Sequence, residues 1–508
     1  MTTPSAEPAA ATCDVLVAGG GPTGLWLASE LRLAGLRPLV VERRTEPFPH
    51  SKALGIHPRT IEMFELRGIA GRFLDGAPKL PKGHFASLPV PLDYGAMDTR
   101  HPYGVYRKQV ETEALLAAHA AQLGVPVRRG HELVGLRQDD DAVVATVQGP
   151  QGRYDVRAAY LVGCDGGGSV TRKLAGIDFP GQGPGVAVLM ADARFHDALP
   201  SDPAMGPFRR YGVLRPDLRA WFSAIPLPEE QGLCRVMVFW YGRQFEDRRA
   251  PVTEDEMRAA LVDLAGTDFG MYDVQWLTRF TDASRQAARY RSGRVFLAGD
   301  AAHTVFPTGG PGLNAGLQDA MNLGWKLAGA VHGWGGALLD TYHAERHPVA
   351  AQVLRDTRTQ CLLLDPDPRF VPLRETLAEL LRLEPVNRYF TGHNTALSVR
   401  YDLGGTHPAT GGPMPDVLVT TGGGPRRFSA CCVTGRGVLL ATSGADRGEL
   451  LRGWKDRVDV VTGTVAQPLD AADYLVRPDG YVAWAGGAGH DEPGLETALR
   501  TWFGEPVS

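Results

Sequence analysis

A strand that runs straight into three spaced glycines and then a helix leaves a chain few folds to choose from. Asp14-Val15-Leu16-Val17-Ala18 is a buried-strand run, Gly19-Gly20-Gly21-Pro22-Thr23-Gly24 follows at once, and Leu25, Leu27, Ala28, Leu31 and Leu33 then recur at helical spacing. In a parallel βαβ unit Gly19 makes the tight turn, Gly21 lets a pyrophosphate touch backbone, and Gly24 lets the helix pack on the strand. A second strand, Pro38 to Val41, ends in Glu42, 18 positions after Gly24, where a carboxylate can accept both ribose hydroxyl hydrogens of an adenosine. The pattern predicts dinucleotide binding. The plainer alternative, the glycine-rich first turn of an empty βαβ unit, rarely needs all three glycines and the acid.

The second organising stretch is Arg294 to Lys326. Val295 to Ala298 is a short apolar run stopping at Gly299-Asp300, so a carboxylate stands at the carboxyl end of a strand, where open α/β sheets bind ligands. Pro307-Thr308-Gly309-Gly310-Pro311-Gly312 can bring backbone close to a flat ligand. Leu313, Leu317, Ala320, Met321, Trp325 and Leu327 have helical spacing, so a helix begins near Pro311, a residue suited to the first turn. Its unpaired N–H groups would point back at whatever Asp300 holds. For a flavin this has a use: reduction places negative charge on the N1/C2=O edge, which a helix N-terminus stabilises. A glycine-rich loop with a buried aspartate cap is the structural alternative.

Tyr160 to Ser169, with Gly163-Cys164-Asp165-Gly166, is another strand ending in aspartate and glycines, which would bring two carboxylates to one sheet edge. Arg43, Arg44 and the Ser51 to Thr60 loop with Lys52 offer either phosphate contacts or solvated charge, and His57 reads as a packing histidine rather than a base. Gln109 sits near the first turn of a helix running through His119.

From Gly185 to Arg279 the pattern alternates: strands at Val186 to Phe195, Arg219 to Ile225 and Leu233 to Tyr241, then a charged helix Thr253 to Leu264. This predicts an inserted, mostly antiparallel sheet, whose aromatics, Trp221 and Phe239 among them, either wall a planar substrate or are core. Leu338 to Leu354 and Val371 to Leu383 read as long helices, with Arg346-His347-Pro348 as a basic helix end, and the Gly/Pro/Thr-rich Tyr401 to Pro415 as a linker. The last hundred residues form an α/β unit with strands at Gly437 to Ala441 and Val458 to Val461, and a hairpin Leu475 to Trp484 around Pro478-Asp479-Gly480.

The 508 residues suggest roughly three domains. With 53 Lys+Arg against 57 Asp+Glu and no long basic run, nucleic acid and anionic membranes are poor partners. Cys13, Cys164, Cys234, Cys361, Cys431 and Cys432 contain no Cys-x-x-Cys, so the expectation is reduced thiols in a cytoplasmic protein, with no metal site. Residues 1–12 read as a flexible tail rather than a signal peptide, and no run reaches the roughly 18 apolar residues of a membrane span.

Taken together, Gly19 to Gly24 with Glu42, the Asp165-Gly166 segment, and Gly299-Asp300 with Pro307 to Asn314 resemble the single-component FAD-dependent aromatic hydroxylases of the para-hydroxybenzoate hydroxylase class. The nearer likeness is to the polyketide and rifampicin monooxygenase branch. Arg477 to Trp484 resembles the thioredoxin-like tail domain of that branch. The resemblance implies an α/β fold: a Rossmann-type FAD-binding domain (13–77, 104–180, 285–397), an inserted mostly antiparallel substrate domain (78–103, 181–284) and a C-terminal thioredoxin-like domain (398–508).

It also implies cofactor contacts from Gly19, Gly21, Pro22, Thr23, Gly24, Glu42, Arg43, Lys52, Gln109, Asp165, Gly166, Gly299, Asp300, Pro307, Gly310, Gly312, Leu313 and Asn314. Phe306, Pro307 and Gly310 would form the flavin-edge loop, with no assigned acid or base, and Trp221, Phe239 and Phe306 would face substrate. Gly168 stands where such proteins often carry Arg or His, and Lys52 where they usually carry Arg, which keeps charge but loses the bidentate fork. The implied cycle uses FAD, NADPH or NADH as transient reductant, and O2, with a flavin C4a-hydroperoxide hydroxylating a polycyclic aromatic polyketide. Baeyer–Villiger or ring-cleaving oxygenation of a related ketone stays open, as does a non-catalytic FAD-binding scaffold. The oligomeric expectation is monomer or homodimer.

Overall fold

The computed structural model of the chain describes residues 11–201, 211–228, 230–247, 250–444, 447–487 and 492–507. Most of the predicted tail, residues 1–10, lies outside them. Ala11 and Thr12, placed in that tail by the sequence reading, instead belong to the strand Ala11–Ala18, because the longer neighbour Gly152–Gly163 offers them partners at Val156 and Arg157.

The first sheet is parallel through Val127–Arg129, Pro38–Glu42, Ala11–Ala18, Gly152–Gly163 and Val295–Leu297, in that lateral order. Val15, Leu16 and Val17 are wholly buried, as expected of a parallel sheet covered on both faces. On the far side of Gly152–Gly163 an antiparallel hairpin, Glu132–Gln138 and Val143–Gly149, extends it. The helix Pro22–Leu33 after the glycine loop packs on the central helix Pro311–Val331. Glycines permit the close approach: a Cβ at Gly316 would lie 2.5 Å from Thr23 Oγ1, and one at Gly324 2.8 Å from Glu30 Cβ.

The inserted sheet has the order Tyr211–Arg215, Ala220–Pro226, Cys234–Tyr241, Val186–Phe195, Met271–Thr281, all antiparallel. Period-two alternation divides its side chains. Ala187, Leu189, Ala191, Phe222, Val236 and Val238 pack with Met257, Leu261 and Leu264 of the helix Glu254–Ala265. Val186, Val188, Trp221 and Phe239 face the other way and join Phe306, Phe85 and Cys361.

Pro348 does not end a helix. Leu338–Leu363 continues through it, and Arg346, read from sequence as part of a basic helix end, is fully buried in its interior. The Arg346 guanidinium is engaged there by Asp319 and Tyr401, so tertiary bonding sustains a segment that propensity alone would terminate.

The last unit is a four-stranded sheet in the order Val458–Thr462, Gly437–Ala441, Asp473–Val476, Val482–Gly486, with the first pair parallel and the others antiparallel, followed by the helix Glu492–Phe503. This is the thioredoxin-like arrangement. Tyr401 to Pro415, read as a linker, is tied down: Gly411 N–H donates to Val482 O and Val482 N–H to Gly412 O. The hairpin tip projects into the first unit. Arg477 forks onto Glu345 and Asp479, Glu345 also receives Lys326 at 2.8 Å, and Arg67 bridges Glu30 and Pro478 O. Arg477, Lys326 and Arg67 are all buried. Among the described residues no helix is long and apolar enough to cross a membrane, and no group of three or more His, Cys, Asp and Glu could hold a metal.

Candidate active site

The three glycines of the first loop do three different jobs. Gly19 has φ +110°, and a Cβ there would lie 2.3 Å from Cys164 O of the neighbouring strand's end. At Gly24 a Cβ would meet Gly19 O at 2.0 Å. At Gly21 it would meet nothing within 4 Å, so this glycine keeps open a space that protein does not fill. Gly21 is also the N-cap of Pro22–Leu33, which has no capping side chain and no acidic residue in its first turn. Unspent N–H groups and an open cradle together suit an anion. Glu42 borders it: Oε2 accepts from Gly20 N at 2.7 Å and Oε1 from Arg44 N at 2.9 Å. Arg43 and Lys52, also expected at the cofactor, are exposed.

Gln109 begins the helix Gln109–Gln122 and is paired twice with Ala53, its N–H donating to Ala53 O at 3.0 Å and its Oε1 accepting from Ala53 N at 3.2 Å. The same loop is gripped from the inserted sheet, where buried Arg235, paired with Asp192, donates to the carbonyls of Ser51 and Lys52. Sequence reasoning passed over Arg235 and Asp192, since nothing in either strand marks a partner almost two hundred positions away.

The strands carrying Asp165 and Asp300 are neighbours in parallel register, Leu161 opposite Val295. Their carboxylates fare differently. Asp165 is spent on the protein, accepting from Ser169 Oγ, Thr171 N and Thr171 Oγ1 at the start of the short helix Val170–Leu174. Its part is therefore to shape the turn in which Gly166, at φ +80°, has no neighbour within 4 Å of a would-be Cβ. Asp300 is exposed and has no hydrogen-bond partner among the described residues. Beside it Gly299, at φ +60°, leaves room for Thr23, and its N–H donates to Asp319 at 3.1 Å.

Asp319 is another residue the sequence reading missed. Fully buried, it receives His303 Nε2 and Arg346 Nε, both at 2.7 Å. Burial alone would raise its carboxyl pKa, but the charges of His303 and Arg346 hold it below the usual range. The signal was present as a polar stripe, Asp319, Asn322 and Lys326, at helical spacing on a largely apolar helix.

The loop Phe306 to Gly310 closes the site. Gly309 and Gly310 have φ +80° and +69°, and Gly310 is the N-cap of the central helix, again with Pro at the first position and no capping side chain. The N–H groups of Gly312 and Leu313 thus lack a side-chain cap. Asn314 locks the helix start to the loop ahead of it, accepting from His57 N at 2.9 Å and Thr60 Oγ1 at 2.8 Å, and donating to Gly310 O at 3.0 Å. His57 Nε2 donates to Gly309 O at 2.9 Å. Phe306 of this loop joins Phe239 and Trp221 in one buried cluster: Phe306 is edge-on to Phe239 at 6.2 Å, and Phe239 stacks on Trp221 at 3.6 Å.

His57 is buried, and burial lowers its pKa from 6.5 to about 4 despite the Gly309 and Asn394 carbonyls. Unfolded chain takes up this proton near pH 6.5 and folded chain only near pH 4, so the stability it contributes is present above 6.5 and lost as pH falls towards 4. The slope is at most about 1.4 kcal/mol per pH unit for one proton. H57Q is expected to flatten the pH dependence by that one proton, read from urea unfolding at pH 7, 6 and 5. An unchanged slope would refute this role.

An FAD fits these residues: an uncapped helix start with an open cradle for pyrophosphate, Glu42 for ribose, an unpartnered carboxylate at Asp300 and a second uncapped helix start at Gly310. Since Asp300 makes no hydrogen bond among the described residues, D300N is expected to keep the melting temperature while weakening FAD binding by about tenfold, the scale of one charge-assisted hydrogen bond. Fluorescence titration of the apoprotein with FAD checks it.

Comparison with known proteins agrees. Residues 12–357 match the FAD binding domain family, and residues 407–506 match the aromatic-ring hydroxylase C-terminal family. The chain is 54% identical over 502 residues to a 12-dehydrotetracycline 5-monooxygenase/anhydrotetracycline 6-monooxygenase of Streptomyces rimosus subsp. rimosus, covering 97% of this chain and 99% of that one. It is 47% identical over 493 residues to a rifampicin monooxygenase of Streptomyces venezuelae, covering 97% and 98%. Among solved structures, an anhydrotetracycline hydroxylase from Streptomyces rimosus superposes with a TM-score of 0.93 at 52% identity, covering 98% of this chain and all of the other. Full-length likeness on this scale, over a site whose open features are those a flavin nucleotide requires, places the chain in the FAD-dependent aromatic-ring hydroxylase family as an FAD-dependent monooxygenase.

Proposed function

We propose that this monooxygenase hydroxylates a ring carbon of a polycyclic aromatic polyketide at the expense of NAD(P)H and O2. One oxygen atom enters the substrate C–H bond, the other leaves as water, and NAD(P)H supplies the two electrons. The observation that carries the reading is the aromatic cluster of Phe306, Phe239 and Trp221, joined through Phe306 to the loop that leads into the uncapped N-terminus of the central helix. Sequence similarity to a 12-dehydrotetracycline/anhydrotetracycline monooxygenase and a rifampicin monooxygenase supports a large, fused-ring substrate of that chemistry. The six cysteines are all free thiols, which supports a cytoplasmic location.

Bound FAD would supply dioxygen activation and the oxygen transferred. The chain's own residues do the rest. The N–H groups of Gly312 and Leu313, with the helix dipole behind them, would favour negative charge held at the helix start. Phe306, Phe239 and Trp221 keep water from the reacting carbon and orient a planar substrate. His57, neutral and bonded to Gly309 O, positions the loop and holds its own proton.

The test is anaerobic stopped-flow reduction of the holoenzyme by NADPH with and without anhydrotetracycline, then product mass and NMR after oxygen is admitted. Faster reduction with substrate, and one oxygen gained on a ring carbon, are expected. Oxygen inserted into the carbon skeleton would instead identify a Baeyer–Villiger enzyme. Substrate-independent reduction with no oxygenated product would overturn the proposal.

A further inference from the structure

At the far side of the flavin-edge loop two carboxamides are oriented by the protein yet left with unused donors. Gln360 is 3% exposed, and its Oε1 accepts from Ala86 N at 3.0 Å. Asn394 Oδ1 accepts from the buried Tyr94 hydroxyl at 2.7 Å. With both oxygens spent, the amide orientations are set and the nitrogens face the other way. Neither Gln360 Nε2 nor Asn394 Nδ2 has a hydrogen-bond partner among the described residues. They converge: the position a Cβ of Gly309 would take is 3.1 Å from Asn394 Nδ2 and 3.9 Å from Gln360 Nε2. Because residue 309 is glycine, nothing of the chain stands between them there.

The surroundings mark this as a built feature. Ala86 and Ser87, successive non-glycine residues, have φ of 50° and 53°, a strained turn that Gln360 pins through the Ala86 amide. Phe85, Ala86, Tyr94, Cys361 and Phe306 share one apolar cluster with Phe239 and Trp221, so the two donors lie where the aromatic wall meets the loop. Neither nitrogen is sealed from solvent, so both face open space, and a pair aimed at one spot suits a single oxygen acceptor.

We propose that Gln360 and Asn394 form a polar subsite for a phenolate or ketone oxygen of the substrate. The inference rests on the proposed hydroxylase reading. Two N–H donors on one oxygen favour the ionised phenol, and a phenolate enriches the ring carbons ortho and para to it, where an electrophilic oxygen attacks. The pair therefore decides which ring of a fused system is presented.

The test uses holoenzyme without reductant, titrated with the tetracyclic phenol named above and followed by substrate absorption. Q360E and N394D each keep the oxygen that the protein uses and replace only the free donor. Wild-type enzyme is expected to bind with a red-shifted phenolate band. Each variant should lose that band and bind about tenfold to a hundredfold more weakly, with FAD content and melting temperature unchanged. Should a carboxylate variant fail to fold, Q360N, which retains an amide one methylene short, should weaken binding in the same way. Variants that bind as tightly as wild type with the same band would overturn the subsite alone. Wild-type enzyme that binds no polycyclic phenol would overturn the hydroxylase reading and the subsite with it.

Discussion

Replacing Gly24 by alanine is expected to abolish the folded protein, whereas the same change at Gly21 should leave the fold intact and remove the cofactor. A Cβ on Gly24 would lie 2.0 Å from Gly19 O, a backbone atom that cannot swing away, while Gly19 is itself pressed against Cys164. Relieving the overlap means parting the first helix from the sheet, a cost above about 4 kcal/mol and comparable to the whole stability of many domains. Gly21 differs because its φ of −79° is open to any residue and no protein atom lies within 4 Å of the added methyl. What G21A obstructs is close approach of phosphate to the helix start. Loss of two charge-assisted hydrogen bonds there, about 3 kcal/mol, weakens FAD binding by roughly a hundredfold. Soluble expression and thermal melts of the apoproteins, with FAD titration, separate the cases. A stable G24A protein, or a G21A protein with ordinary FAD affinity, would contradict the division of labour.

The second large effect is expected far from the cofactor. R477M should destabilise the protein by about 3–5 kcal/mol, because it strands the carboxylates of Glu345 and Asp479 in a buried site. Lys326 can still meet Glu345, but Asp479 loses its guanidinium. R477K should fall between, since it restores charge without the fork. Burial alone would raise the Glu345 carboxyl, but Arg477 and Lys326 hold it well below its ordinary 4.5. Its stabilising contribution is therefore present above pH 4.5 and lost as pH falls below that towards the folded value. In R477M part of this acid sensitivity should vanish. Urea unfolding at pH 7 and pH 4 measures both effects, and a variant within about 0.5 kcal/mol of wild type would show the cluster to be incidental. The result bears on the C-terminal unit: through Arg477 and Asp479 it is bonded to Glu345 of the long helix and Asn322 of the central one, so the tail braces the helix whose start forms the site.

Much of this molecule could be read before its structure. The strand, glycines and helix at Asp14 to Leu33 and at Val295 to Val331 are local patterns, each set by a few adjacent residues whose backbone demands allow little else. The inserted strand Val186–Phe195 was legible to the residue because burial on both faces leaves an almost unbroken apolar run. The burial of Arg346 inside the helix Leu338–Leu363 was not, because it depends on Arg346 meeting Asp319, 27 positions earlier.

The same divide runs through the site. Sequence by itself determined which loops are built to suit a nucleotide, since glycine spacing, a strand-terminal acid and a proline-started helix are constraints a chain states locally. Only the tertiary structure decided how the loops are used: that Asp165 is consumed by its own turn while Asp300 stays open, that Gly21 alone of three glycines faces empty space, and that Gln360 and Asn394 converge on Gly309. The last of these depends on polar atoms meeting partners 274 and 300 positions away, Gln360 with Ala86 and Asn394 with Tyr94. A hydrogen bond's direction and a buried charge's partner are properties of the packed whole, which no local window of sequence contains.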